Sequence, residues 1–172
     1  MIQARFWALA GVALLAGCGD AGSGSNGSAD SAVLDRAVRV QQLMAGEVQP
    51  TAEVYWNSAG YVIDENGETD LTPTTDEGWA ATLESTRKLQ QLGQLLQTPE
   101  YAEGRGEDWI AFSKSLVEIS QRAEQTAMDR DSEAIFEVGG IIYRVCTACH
   151  QVYPASQPED LGQNDIEEAP PE

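Results

Sequence analysis

The chemistry in this chain is concentrated at residues 146–150, Cys-Thr-Ala-Cys-His, which hold two of its three cysteines and its only histidine. Three kinds of site use such residues. A structural zinc site takes four ligands, usually from two Cys/His pairs, and no second pair exists here, so an acidic fourth ligand would be required. A redox dithiol of the thioredoxin kind expects a βαβ setting with the motif at a helix start. In this chain the motif instead closes a long helical pattern. Cys-x-x-Cys-His is also the attachment signature of a covalently held haem. On an α-helix, Cys146 and Cys149 lie about 60° apart around the axis, and His150 falls about 40° beyond Cys146 on the other side. The three side chains share one arc, so two thiols can reach the vinyl groups of one haem while the imidazole reaches its iron. One haem c, bound through Cys146, Cys149 and His150, is the expected cofactor.

Haem attachment of this type takes place outside the cytoplasm, and the N-terminus supplies an export route. Residues 1–17 read as a signal peptide, with Arg5 in the n-region and an apolar stretch from Phe6 to Ala16 that is too short for a permanent span. Leu15-Ala16-Gly17-Cys18 resembles the lipobox of bacterial lipoproteins, which implies cleavage before Cys18 and lipidation of that residue. The cysteines are then all assigned: one to lipid, two to thioethers. The expected location is the periplasmic side of a membrane, anchored by acyl chains rather than by a spanning helix. Residues 18–30 are Gly/Ser-rich and are expected to act as a flexible tether. The proline-rich acidic end, 155–172, is expected to be a disordered tail.

Between these ends, residues 31–154 carry helical periodicity and almost no strand alternation. Val33, Ala37, Val40 and Met44 form one stripe, opposite Asp35, Arg36, Arg39 and Gln42, with Asp30 or Ser31 as N-cap. Pro50 predicts a kink or a short second piece rather than a clean stop. Residues 61–78 read as a polar connection. A second helix opens at Thr75 with Asp76 and Glu77 in its first turn, and carries Trp79, Leu83, Thr86, Leu89, Leu92 and Leu96. A glycine-containing turn at Glu103–Asp108 precedes a third helix, Glu107 to Asp129, with a stripe of Trp109, Phe112, Leu116, Ile119, Ala123 and Ala127. A fourth helix starts near Asp131 or Ser132 and runs into the Cys-Thr-Ala-Cys-His motif. Gly139 and Gly140 in its middle cost roughly 2 kcal/mol of helix propensity, which predicts that something bulky approaches the backbone there. The sum is an all-α fold, an antiparallel four-helix bundle with haem attached on the C-terminal helix.

A haem motif on the last of four helices resembles the class II c-type cytochromes, the cytochrome c′ and cytochrome c-556 group. The resemblance is specific at Cys146, Cys149 and His150 and architectural over most of Ser31 to Tyr153. It implies that His150 is the proximal iron ligand. It also implies that the opposite iron face is either open, as in gas-binding members, or held by a methionine of the first helix. Met44 occupies the matching stripe. Met128, the other methionine left after export, sits off its helix's apolar stripe. With one histidine, ligation by two histidines of this chain is excluded.

A thioether ligand raises the potential and closes the iron to outside ligands, which makes an electron carrier. An open site would bind NO or CO. A haem-bearing accessory subunit of a membrane redox complex is the third expectation. No nucleophilic Ser/His/Asp or Cys/His set and no phosphate loop is present, so no enzyme is expected. Arg144, beside the motif, is the expected partner of a haem propionate. Tyr143 and Tyr153 are expected at the porphyrin edge, and Trp56, Trp79 and Trp109 in the core. The chain has 28 acidic and 10 basic residues, a net charge of −18, which disfavours nucleic acid and favours redox partners with basic surfaces. The family resemblance also implies possible homodimers.

Overall fold

The structure, a computed structural model, describes residues 25–155. The signal peptide at 1–17, the lipidation site Cys18, the first part of the tether and the tail from 156 onward lie outside the described residues.

The described chain is mostly helical. It runs α1 (Ser25–Leu43), a π-helical turn (Met44–Val48), α2 (Gln49–Trp56), β1 (Tyr61–Asp64), β2 (Gly67–Asp70), α3 (Asp76–Leu95), α4 (Pro99–Ala102), α5 (Glu107–Asp129) and α6 (Ser132–Val152). The expected caps form. Thr75 Oγ1 accepts from the Gly78 N–H at 3.1 Å to open α3, and Asp131 Oδ1 accepts from the Ala134 N–H at 3.0 Å to open α6. Each satisfies a backbone donor that the first helical turn leaves over. α1, by contrast, begins at Ser25, upstream of the expected cap.

Pro50 produces a second piece without breaking the helical path. It cannot donate a hydrogen bond, and its ring crowds the carbonyl four residues back. The chain widens into a π turn, in which the Gln49 N–H bonds to Met44 O, and α2 then starts with Pro50 in its first turn. Met44 is therefore the first residue of a π insertion, a feature frequent at functional sites.

α2 is clamped on both sides. Tyr55, fully buried, shares a 2.8 Å hydrogen bond with Thr126 of α5. Trp56 Nε1 donates to the Gly139 carbonyl of α6 at 3.0 Å. A Cβ on Gly139 would lie 3.2 Å from the Trp56 ring, so the bulky group that needs this glycine is the Trp56 indole. Gly140 is exposed and meets no such neighbour.

α3 and α5 pack along most of their lengths, and α6 packs on α5. Gly93 permits the α3–α5 approach: an added Cβ would stand 2.8 Å from Val117 Cγ2 and 3.2 Å from the Ser113 carbonyl. The α5 stripe is buried as expected except that Phe112 is half-exposed.

On α1 the expected stripe holds at Ala37, Val40 and Met44, which are half-buried, and ends before Val33. Val33 and Leu34 are exposed, whereas the side chain of Arg36, assigned to the polar face, is only 14% exposed. α1 leans on α4, where Arg36 pairs with Glu103 and Arg39 with Glu100, and does not pack closely along α6.

The polar connection is also corrected, because Tyr61–Asp64 and Gly67–Asp70 form an antiparallel hairpin. Its turn is set by Asp64 Oδ1 accepting from the Asn66 N–H and by Gly67 at φ 119°. Every residue of both strands is exposed, so no alternation marked them in the sequence. Among the described residues no helix is long and apolar enough to cross a membrane.

The two glycine environments predict opposite stability effects. Gly140→Ala gains helix propensity at an open site and should stabilise by about 0.5–1 kcal/mol. Gly93→Ala should destabilise by about 1–3 kcal/mol through overpacking. Urea unfolding of the two variants checks this, and equal effects of the same sign would contradict it.

Candidate functional site

Because α1 diverges from α6 above the α2 clamp, a cleft of about 980 Å³ opens between them. One wall comes from α1 and the π turn, through Val40, Met44, Ala45 and Val48. The facing wall is the C-terminal half of α6, with Val145, Cys146, Cys149 and His150. The floor is Trp109, Phe112 and Leu116 of α5. The lining is mostly apolar, and the volume is at the upper end of the roughly 300–1,000 Å³ common for small-molecule and cofactor sites.

α6 stays helical through Val152, so the motif residues keep the angular spacing expected on a helix. Its end is fixed by Tyr153. The Tyr153 N–H bonds to Cys149 O at 2.8 Å, its hydroxyl donates to the Arg105 carbonyl at 2.6 Å, and its ring meets Trp109 edge to face at 5.1 Å. Trp109 is in turn held by its own Nε1 donating to Leu96 O at 2.7 Å. The helix end that carries His150 is thus tied to α3, α5 and the loop before α5.

Burial raises the Cys146 thiol above the ordinary thiol range. Cys149 is pushed up to about 11, chiefly by burial and further by neighbouring Cys146, with Arg105 opposing. Both thiols are free and half-buried, and both stay neutral near pH 7. His150 is exposed on the cleft side and accepts or donates no hydrogen bond among the described residues, which leaves its imidazole available as a ligand.

No family model, curated protein or solved structure matches the chain.

The site must therefore be weighed on its own donors. Among the described residues no group of three or more His, Cys, Asp or Glu side chains gathers at a point where a metal ion could sit. Among the described residues the dithiol alternative has no βαβ setting, since the strands there form a single antiparallel hairpin. A haem asks for something else: an apolar slot, two thiols and an imidazole on one wall, and a cation for its carboxylates. The cleft offers all of these. The Met44 thioether also lines the cleft.

Of the residues singled out from sequence, the cleft brings together Cys146, Cys149, His150 and Met44, with Tyr143 and Tyr153 on its rim. Met128 is 56% exposed near the end of α5 and does not line it. Arg144 is exposed and also absent from the lining, its guanidinium lying near Gly140. The cation that does line the cleft is Arg105, which the sequence reading passed over. Its signal was present in the turn Gly104-Arg105-Gly106: both glycines have positive φ, at 79° and 86°, and they bend the loop so that Arg105 lies over Trp109. Trp56 and Trp109 line the cleft as well as anchoring the core, whereas Trp79 is core only.

The raised Cys149 pKa has a direct consequence in the chain with free thiols. A thiol at about 11 is roughly one part in a thousand thiolate at pH 8, against about a quarter for an unperturbed cysteine. Iodoacetamide labelling of Cys149, followed by peptide mass spectrometry, should be slow at pH 8 and rise about tenfold per pH unit toward pH 11. Labelling at the free-cysteine rate at pH 8 would contradict the burial.

Proposed function

We propose that the protein is a monohaem c-type electron carrier of the class II kind, a four-helix bundle in which α1 with α2, α3, α5 and α6 enclose one haem. The observation that carries this reading is that Cys146, Cys149, His150 and Met44 all line a single, mostly apolar cleft. A bound haem supplies a one-electron iron couple. Cys146 and Cys149 hold it by thioether bonds, and His150 offers a nitrogen from the α6 wall. Met44 offers its sulfur from the opposite wall, which favours the reduced state and keeps exogenous ligands out. Trp109, Phe112 and Leu116 give the cleft an apolar floor against which a porphyrin face can pack.

The surroundings of the site fit a carrier more readily than an enzyme, because the single imidazole of the chain is committed to iron and no other acid–base pair lines the cleft. The net charge of −18 favours partners with basic docking surfaces, and long-range steering would speed their encounter at low salt. Export by residues 1–17 and lipidation of Cys18 would hold the carrier at the periplasmic face of a membrane, where haem attachment also occurs.

Expression in a host with a c-type maturation system tests the proposal. The wild type should carry covalent haem on the peptide containing Cys146 and Cys149, and the Cys146→Ser/Cys149→Ser double variant should carry none. The ferrous wild type should be low-spin and slow to take up CO, and Met44→Ala should bind CO at once. A wild type that is high-spin and binds CO immediately would overturn the carrier reading in favour of a gas-binding protein, and a haem-free wild type would overturn the cofactor.

A further inference from the structure

We propose that Arg105 is the carboxylate subsite of the cleft, receiving a propionate of the bound haem and holding the iron potential up, with Arg36 as a second cation behind it. This inference rests on the haem reading above and deepens it.

Arg105 stands where such a group is needed. Its guanidinium lies 4.3 Å over the Trp109 ring, on the floor of the cleft, and its backbone carbonyl is pinned by the Tyr153 hydroxyl. Its Nε is buried and has no hydrogen-bond partner among the described residues. Arg36 lies within electrostatic reach, and its Nε is likewise buried and without a partner, although its terminal nitrogen bonds to Glu103. Arg39, next along α1, has a third buried Nε without a hydrogen bond, 3.7 Å from Glu100.

In a chain of net charge −18, Arg105 thus lines the cleft with an unsatisfied Nε, and Arg36 and Arg39, paired with Glu103 and Glu100 on the α4 side, each carry a further unsatisfied Nε. Burial disfavours the charged form of Arg105, and Arg36 disfavours it further. Arginine nevertheless stays protonated at any working pH, so the charge persists and needs an anion. An unpaired donor on a partly desolvated cation is costly and becomes favourable when a carboxylate completes it. Trp109 contributes through its ring face, which attracts the guanidinium and fixes its plane. The ligand that suits these features is an apolar body with carboxylates at its edge. A porphyrin with propionates is such a molecule.

A cation beside the site favours the less positive, reduced iron. The test is the midpoint potential of the holoprotein, measured by spectroelectrochemistry at low ionic strength for the wild type, Arg105→Gln, Arg105→Lys and Arg144→Gln. Arg105→Gln should move the equilibrium toward the oxidised form by about tenfold, a potential about 59 mV lower for a one-electron couple. Arg105→Lys, which keeps the charge, should restore most of the shift, and Arg144→Gln should stay within twofold of the wild type. Should Arg105→Gln fail to accumulate, Arg105→Met keeps an apolar stem on Trp109 and should show the same fall. A haem-bearing Arg105→Gln protein with the wild-type potential would overturn this proposal and leave the haem reading standing. A fall that Arg105→Lys does not restore would also overturn it, by assigning the effect to packing. A wild type without haem would overturn both.

Discussion

The clamp on α2 is the constraint from which the site follows. Tyr55 bonded to Thr126 and Trp56 bonded to the Gly139 carbonyl fix α2 against α5 and α6 at the same level. Each of these bonds is worth about 1 kcal/mol, and the buried rings add more through their apolar area. Immediately upstream, Pro50 forbids a regular α-helix, and the π turn redirects the chain. α1 consequently leaves the line of α6 and settles on α4. If α1 instead continued straight along α6, its apolar residues would fill the space in front of Cys146 and Cys149. The cleft is thus produced by the helix path, and the residue at the redirection point is Met44.

The second organising feature is electrostatic. The acidic surplus is spread over exposed positions, while Arg36, Arg39 and Arg105 collect where α1, α4 and the loop before α5 meet. Glu100 and Glu103 neutralise part of that charge at the surface. Surface ion pairs of this kind contribute little stability, about 0–1 kcal/mol each, so their effect is to position the arginines more than to hold the fold. A positive corner inside a negative molecule would separate two tasks under the proposed function, the corner meeting a ligand's carboxylates and the outer surface a basic partner.

Much of this was legible in the sequence. The Cys-Thr-Ala-Cys-His run, the helix starts at Thr75 and Asp131, the stripe on α5 and the interruption at Pro50 depend on local rules and were found. Long-range packing concealed the rest. Arg36 looked solvent-facing because a guanidinium buried by a partner loop carries no periodic mark. The hairpin projects with both faces exposed, so Tyr61–Asp64 and Gly67–Asp70 showed no alternation to detect. Arg144 drew attention by sequence neighbourhood to the motif, yet it lies outside the cleft, and Arg105, some forty positions away, lines it. Gly139 was correctly read as a close-approach position, while the group that approaches it, the Trp56 indole, became visible only from the fold.

The central claim is that His150 and Met44 bind one iron from opposite walls of the cleft. X-ray absorption at the iron edge of the oxidised holoprotein tests it directly. The account predicts a six-coordinate iron with one sulfur scatterer, which disappears in Met44→Ala. A five-coordinate, all-nitrogen shell in the wild type would contradict it.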